Sequence, residues 1–523
     1  MEVFNYHLNS NIFMYLLTNF NKLDRNQKVR YFFILCQIYG FQQIVKRLYQ
    51  GFIPYLYQKV KKTSLVQSYI SSQTQPIIQG IRDELQQEVK ELQVRPFFLE
   101  NGMTEEQIIQ EFQKMKNLRS FDYPGGQVSG AVYSNTPKLD KLYPRIYTYF
   151  GKSNPLHTNL FPAVRKMEND LVKMMINFFG GNEDTVGCFT NGGTESILLA
   201  CKTYRDWGYA QGIQKPNMIV STSVHCAFHK AAKYFQIELI TIPALENGKF
   251  DLVKLSKKIN SNTVLVVGSA PSYNLGIVDP ILEMADICLE NKVGLHVDCC
   301  MGAFLVNYSQ EHFNFQVTGV TSISADYHKY GMTPKGASVI MYHSRDLMKY
   351  QYYIDEEWSG GVYGTSTLLG SKNGNIVALT WAAVMYLGKK TYRENYLSIM
   401  ALQNYLVKEL VKIPELFVYG EPKLNIIAMG SHNINIHTLG ESMKEAGWSV
   451  SIIQNPPGFH FCITPYQTED ILARFVGALK ALIPSVPDSQ TQSKCIYGTK
   501  QSVADGEIVK DIIAEYLHIV NGF

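Results

Sequence analysis

A histidine and a lysine, His328-Lys329, stand directly after the β-branched, apolar run Thr321-Ser-Ile-Ser-Ala-Asp326 and before turns at Gly331 and Pro334. That spacing ends a strand on a lysine that is partly desolvated and beside a second potential cation. Its pKa is therefore expected to fall, and a neutral amine can attack an aldehyde and hold it covalently. The pair alone says little, because most His-Lys pairs in a chain of this size are surface residues. Three other features sit at related places. Asn191-Gly-Gly-Thr-Glu-Ser196 opens a helix with two glycines and a threonine, which offers free backbone N–H groups and the positive end of a helix dipole to a phosphate. His225 follows the strand that starts at Met218, and Asp298 closes Gly294-Leu-His-Val-Asp298. Pyridoxal phosphate has a use for all four: an amine for its aldehyde, a carboxylate to keep its pyridine nitrogen protonated, a flat imidazole to stack on its ring, and a phosphate seat. Each also has a plain structural reading, since a strand-end aspartate often caps a helix and a lone histidine is usually a hydrogen-bonded structural residue. Their coincidence favours the cofactor.

The elements that must position these residues alternate. Strands are expected at Val186–Thr190, Met218–Ser223, Ile237–Ile242, Thr263–Ser269, Gly294–Asp298, Val320–Ala325 and Ala337–Tyr342. Helices are expected between them, at about 191–209, Ala227–Phe235, Leu252–Ile259 and Pro280–Glu290. Apolar strands separated by helices predict an α/β fold, a mostly parallel seven-stranded sheet covered on both faces, with ligands gathered at the carboxyl ends of the strands. Beyond about Thr391 the pattern predicts a smaller α/β domain, with a helix over Tyr392–Lys412 and another over Glu469–Leu482. The expected organisation is an amino-terminal segment over 1–62, a helical arm over 63–120, a large domain over 121–390 and a small one over 391–523.

With 523 residues, 46% of them hydrophobic, the chain can bury a large core. A net charge of +4 is too small to suggest nucleic acid, and the nine scattered cysteines show no zinc-type spacing and read as reduced. The charge is uneven: residues 1–62 carry nine Lys or Arg against Glu2 and Asp24, +7, which leaves −3 for the remainder. Within that segment Tyr31 to Val45 is an uncharged, aromatic run of fifteen between Arg30 and Lys46-Arg47. A bilayer crossing needs about 20 apolar residues, so the run reads as an interfacial helix or a short span; membrane association is expected either way. The glycine-rich stretch Tyr123 to Tyr133 predicts a loop that lets backbone approach a ligand.

Taken together, several blocks resemble the group II pyridoxal-phosphate decarboxylase family of fold type I, in its branch acting on phosphorylated long-chain bases. They are Val128-Ser-Gly-Ala-Val-Tyr133, Asn154-Pro-Leu-His157, Gly192-Gly-Thr-Glu-Ser-Ile197, Leu295-His296-Val-Asp298, Ser322-Ile-Ser-Ala-Asp326 with His328-Lys-Tyr-Gly331, Trp358-Ser-Gly-Gly-Val-Tyr363 and His460-Phe-Cys-Ile-Thr464. The resemblance implies that Lys329 carries the cofactor, with Asp298, His225, His296, Gly193 and Thr194 around it. It implies that Gly370 and Ser371 reach the cofactor phosphate of a neighbouring subunit in a homodimer, and that His157, Asn154 and Lys335 meet the substrate phosphate. Tyr133, Tyr273 and His328 are implied as further catalytic residues; the proton acceptor for the substrate hydroxyl stays open among Lys329, His328, a tyrosine and the cofactor phosphate. The implied reaction is retro-aldol cleavage of a phosphorylated long-chain base to a long-chain aldehyde and phosphoethanolamine, at the endoplasmic reticulum membrane facing the cytosol. Amino-acid decarboxylation is the alternative. Three positions depart from the family: Tyr327 for threonine, Lys372 for arginine, and Thr365-Ser-Thr367 for Ser-Pro-Thr. The lysine loses an arginine's bidentate fork, which is expected to alter phosphate affinity.

Overall fold

The computed structural model describes residues 64–92, 97–116, 118, 121–488 and 506–521. The expected membrane-associated segment over 1–62 lies outside them, and among the described residues no helix is long and apolar enough to cross a membrane.

Two compact units emerge. The larger, Lys116–Ala504, is built on a seven-stranded sheet of β1 (Val186–Thr190), β2 (Asn217–Ser221), β3 (Glu238–Ile242), β4 (Thr263–Ser269), β5 (Gly294–Asp298), β6 (Val320–Asp326) and β7 (Ser338–Tyr342). Their spatial order is β1-β7-β6-β5-β4-β2-β3. Pairing is parallel from β3 through β6, while β7 runs antiparallel to both β6 and β1. Period-two alternation sorts the strand side chains between two apolar layers: Ile219, Val266 and Ile323 enter one core, Met218, Val220, Leu265 and Val267 the other.

In the smaller unit, α1 (Ser64–Glu88) packs on the last helix of the chain; the arm continues through α2 (Glu105–Lys116). The arm expected to be helical over 63–120 is interrupted at residues 89–92 and 97–104. In the larger unit, α3 (Pro137–Phe150) is an element the sequence reading missed. Its two prolines argue against a helix, but Pro137 sits in the first turn, where no N–H is needed. It is followed by α4 (Pro162–Phe178), α5 (Gly193–Ala210), α6 (Cys226–Phe235), α7 (Leu252–Lys258) and α8 (Ile281–Glu290). Helices α5 and α6 supply the layer with Met218 and Val220, whereas α4 and α8 supply the opposite one through Leu171, Met175, Ile281 and Met284.

The next stretch, α9 (Gly374–Leu410), is two helices joined across a kink at Gly388, whose φ 65° and ψ 169° are non-helical; the second contains the expected helix from Tyr392, and the first is an element not expected from the sequence. Beyond it lies a four-stranded antiparallel sheet of β8 (Phe417–Val418), β9 (Ile426–Gly430), β10 (Ser451–Ile453) and β11 (Gly458–Cys462), ordered β8-β9-β11-β10. It is backed by α10 (Ile436–Glu445) and α11 (Glu469–Leu482). The small domain does not run to the end of the chain as expected. Helix α12 (Gly506–Val520) belongs with α1, and Ile512 is buried there. An amphipathic helix shows its apolar stripe in sequence but not which partner covers it.

Candidate active site

The carboxyl ends of β2, β4, β5 and β6 open into a cavity of about 520 Å³ lined by, among others, Gly193, Thr194, His225, Tyr273, Asp298 and Lys329. His328, Asp326 and Cys300 also face it. Seven residues anticipated from sequence, Gly193, Thr194, His225, Tyr273, Asp298, His328 and Lys329, are thus brought together.

The phosphate seat takes its shape from two glycines. Gly192 caps α5 with φ 148° and ψ 165°, a conformation that excludes a side chain, and no side chain caps the helix start. A Cβ at Gly193 would lie 2.9 Å from Cys300 Sγ and 3.0 Å from both Asp326 oxygens. The hollow therefore exists only because the residue is glycine, and free N–H groups of the first helical turn line it. Glu195 fixes the surrounding loops: Oε2 accepts from Asn191 N at 2.7 Å and Nδ2 at 2.9 Å, and Oε1 accepts from Leu368 N at 3.1 Å.

Opposite, Asp298 Oδ1 accepts from Cys300 N at 3.1 Å and from the Ser324 hydroxyl at 3.4 Å. His296 does not line the cavity. It is fully buried, 2.8 Å from Ser322 Oγ through Nδ1 and 3.1 Å from Ser324 Oγ through Nε2, and Ser322 in turn meets the Tyr204 hydroxyl at 2.8 Å. Because Ser324 donates its proton to Asp298, it accepts from His296 Nε2–H, and His296 Nδ1 accepts from Ser322. Burial lowers the His296 pKa to about 4, against a smaller opposing pull from Asp298, so the ring is neutral. The expected cofactor contact is replaced by a buried chain, Tyr204–Ser322–His296–Ser324–Asp298, that holds the carboxylate from behind.

His225 is both a helix cap and a cavity wall: Nδ1 accepts from Ala227 N at 3.2 Å, and its ring meets Tyr273 edge-on at 6.2 Å. Tyr273 packs in turn against His460, ring centroids 4.9 Å apart, while His460 Nδ1 lies 3.1 Å from Asn274 O. The last of the blocks quoted from the sequence, His460 to Thr464, thus braces the Tyr273 loop.

The expected fall in the Lys329 pKa is not found. Burial does pull it down, but Nζ lies 2.9 Å from Asp326 Oδ2, and that carboxylate carries the pKa above the ordinary lysine value. The neighbour in sequence is a histidine, but the group that sets the lysine's charge is the aspartate three residues back. His328 Nδ1 accepts from Ala337 N at 3.2 Å, which leaves the proton on Nε2, 3.5 Å from Asp326; burial lowers its pKa.

The remaining anticipated residues lie off the cavity lining. Tyr133 is buried, its ring 4.7 Å below Lys335 Nζ, and burial raises the phenol pKa. Lys335 Nζ also reaches His328 O at 3.5 Å, and burial lowers its pKa. Asn154 and Ser371 meet each other, Nδ2 to Oγ at 3.1 Å, and Asn154 Oδ1 accepts from Lys372 N. His157 is exposed one turn away and Gly370 adjoins Ser371. Lys372 does not offer its charge to a phosphate: Nζ is paired with Glu168 at 2.7 Å, both side chains largely buried. Tyr327, the second departure, turns away from the cavity and donates to Leu171 O at 2.6 Å.

The donor set fits pyridoxal phosphate: an amine, a carboxylate facing it across the cavity, an imidazole wall and a glycine-shaped helix start with free N–H groups. The profile of the pyridoxal-dependent decarboxylase conserved domain matches residues 147–430. Sphingosine-1-phosphate lyase 1 of Rattus norvegicus is 38% identical over 428 residues, which cover 80% of this chain and 75% of the rat protein. Sphingosine-1-phosphate lyase of Saccharomyces cerevisiae is 35% identical over 504 residues, 93% of this chain and 85% of the yeast protein. Among solved structures, the sphingosine-1-phosphate lyase of Burkholderia pseudomallei superposes with a TM-score of 0.73 at 32% identity, covering 76% of this chain and 94% of that one. Glutamate decarboxylase of Lactobacillus brevis shares the fold, with a TM-score of 0.66 at 16% identity over 77% of this chain and 98% of that one.

Proposed function

The chain belongs to the pyridoxal-dependent decarboxylase family, among its sphingosine-1-phosphate lyases, and from that premise we propose how its residues divide the work. It is a pyridoxal-phosphate-dependent carbon–carbon lyase that cleaves phosphorylated sphingoid bases to a long-chain aldehyde and phosphoethanolamine. The observation that carries this reading is the convergence of Lys329, Asp298, His225 and the Gly192–Gly193 helix start on one cavity. Amino-acid decarboxylases are related at the level of the fold alone.

When bound, pyridoxal phosphate supplies the electron sink for the pair released from the C2–C3 bond. Lys329 would hold its aldehyde carbon, Asp298 its pyridine nitrogen, His225 its ring face, and Gly193 with Thr194 its phosphate. His296 acts through Ser324 as a positioning residue. His328 is a poor acceptor for the C3 hydroxyl proton, because its only lone pair is engaged by Ala337 N–H. Tyr133 keeps its own proton, since burial raises its pKa. Among this chain's residues that leaves the Lys329–Asp326 pair, 2.9 Å apart, as the proton acceptor. Lys335, above Tyr133 and beside His328, supplies the cation for the substrate phosphate, with His157 and Asn154 from the loop between α3 and α4.

Two copies complete the site in this reading. Ile354, Trp358 and Val362 are 64%, 54% and 81% exposed, and Leu368 and Leu369, which line this chain's own cavity, follow immediately before Gly370 and Ser371. A monomer rarely leaves such apolar side chains uncovered close together in the chain, which supports a homodimer in which a second copy covers Ile354, Trp358 and Val362. The basic, aromatic segment over 1–62 suits attachment to a membrane carrying the amphiphilic substrate, and its charge suits the cytosolic leaflet of the endoplasmic reticulum. Incubation with a phosphorylated long-chain base and identification of the products tests the reading: an aldehyde with phosphoethanolamine is expected, and carbon dioxide from an amino acid would replace it with the decarboxylase alternative. Lys329→Ala should abolish cleavage; a variant that still turns over refutes the assignment.

A further inference from the structure

Lys329 is held as an ammonium, which has no lone pair with which to attack a carbonyl. Its Nζ stands 2.9 Å from Asp326 Oδ2, in a side chain only 1% exposed. His328 Nε2 is 3.5 Å from the same oxygen; burial pushes the Asp326 carboxyl up, but Lys329, His328 and the Ser338 hydroxyl together hold it below its ordinary value. Both oxygens also border the hollow at Gly193. We propose that Asp326 is the proton-exchange partner of Lys329, taking a proton from Nζ when the amine attacks the cofactor aldehyde and returning it when the substrate amine displaces the lysine.

The proposal rests on the cofactor reading above. In the forward step one Nζ–H bond breaks and an Oδ2–H bond forms along the 2.9 Å contact, converting an ion pair to a neutral pair. The freed lone pair bonds the aldehyde carbon, and the carbonyl oxygen leaves as water with the two remaining amine hydrogens. No proton need pass to solvent. A carboxylate this deeply buried cannot stay ionised at low cost once its ammonium partner is consumed, so protonation is the cheaper state. As a neutral acid beside the phosphate seat it also donates a hydrogen bond, where an anion would repel the phosphate.

The titratable neighbours leave this role to Asp326. His328 and Lys335 come from the turn after β6, Asp298, Cys299 and Cys300 from the end of β5, Glu195 from α5 and Tyr133 from the glycine-rich loop. Burial keeps both thiols and the phenol protonated. Glu195 is engaged by Asn191 and Leu368, and Asp298 by Cys300 N and Ser324. Lys335 is a second cation, and His328 has its proton on the nitrogen that faces Asp326.

The test uses the full chain stripped of cofactor and then reloaded. An infrared difference spectrum on reloading should show a new protonated-carboxyl band in the unmutated protein, and Asp326→Asn should lack it. A second readout needs no cofactor: reductive methylation of Lys329 in the stripped protein, followed by mass spectrometry across pH. Asp326→Asn removes the anion while burial and Lys335 remain, so the labelling midpoint should move down by about one to three pH units. Absence of the band in unmutated protein, or superimposable labelling profiles, overturns the proposal. Should Asp326→Asn fail to fold, the unmutated spectrum decides alone. A protein that takes up no cofactor refutes the cofactor reading itself, which separates that failure from this one.

Discussion

Ser324→Ala cuts the buried chain behind Asp298 at its last link, and the structure sets the size of the effect. The hydroxyl donates to Asp298 Oδ1 at 3.4 Å and accepts from His296 Nε2 at 3.1 Å. A hydrogen bond to a charged group contributes about 1.5–3 kcal/mol, and the long distance favours the lower figure. The imidazole N–H left without an acceptor in a fully buried place costs roughly 1–3 kcal/mol more. Folding should therefore lose about 2.5–4.5 kcal/mol, since the methyl side chain leaves almost no cavity. Cofactor affinity should fall about tenfold, the worth of ~1.4 kcal/mol at the carboxylate. Denaturant unfolding of the stripped protein measures the first, and titration of the stripped protein with pyridoxal phosphate the second. Asp298 should remain in place and continue to be held by Cys300 N, so affinity is weakened but not lost. A Ser324→Ala protein with unchanged stability and unchanged affinity refutes the chain, and a stability loss with no change in affinity confines it to packing.

Three other outcomes follow from the same geometry. His296 and His460 are both buried, with burial pulling each pKa from 6.5 to about 4. Both bind a proton in the unfolded chain before they do in the fold, so stability is complete above pH 6.5 and falls as pH drops toward 4. Each contributes about 3 kcal/mol over that window, and urea midpoints that stay flat between these pH values contradict it. Glu168→Gln should destabilise by about 3–5 kcal/mol, because it strands the largely buried Lys372 ammonium; equilibrium unfolding reads this, and a change below 1 kcal/mol means the pair is relaxed by water. Lys335→Ala should raise the KM for phosphorylated substrate by about 10–100-fold, as loss of a charge-assisted contact implies, with cofactor retention little changed; equal loss of both counts against a substrate-phosphate role.

The sheet was legible because its strands are fully buried, short and apolar, and their ends carry the polar residues that a parallel sheet presents to ligands. Thr263–Ser269 and Gly294–Asp298 coincide with the structure to the residue, and so Asp298 and Lys329 could be set across one cleft from spacing alone. Helix α3 and the part of α9 before Gly388 were not legible; in α3 the prolines read as breaks unless their place within the helix is known. The pairing of α12 with α1 is tertiary and leaves no local mark.

His296 and Lys329 show the same limit from the chemical side. Alternation along β5 puts His296 and Asp298 on one face, which invites the reading that both meet the cofactor. Only depth separates them: Asp298 sits at the strand end and faces the cavity, while His296 is one pair of residues further in, between two serines of β6. At Lys329 the periodicity ends, and the turn after β6 folds the lysine back onto the last strand residue. An Asp-x-x-Lys sequence across a strand end is compatible with that contact but does not require it, since the same four residues in extended backbone would hold the charges far apart. The sign of the pKa shift is decided by which of these occurs. Reactivity in this cavity therefore follows from the turn, and the amine that the sequence offers as a ready nucleophile is one the fold keeps charged until a proton acceptor releases it.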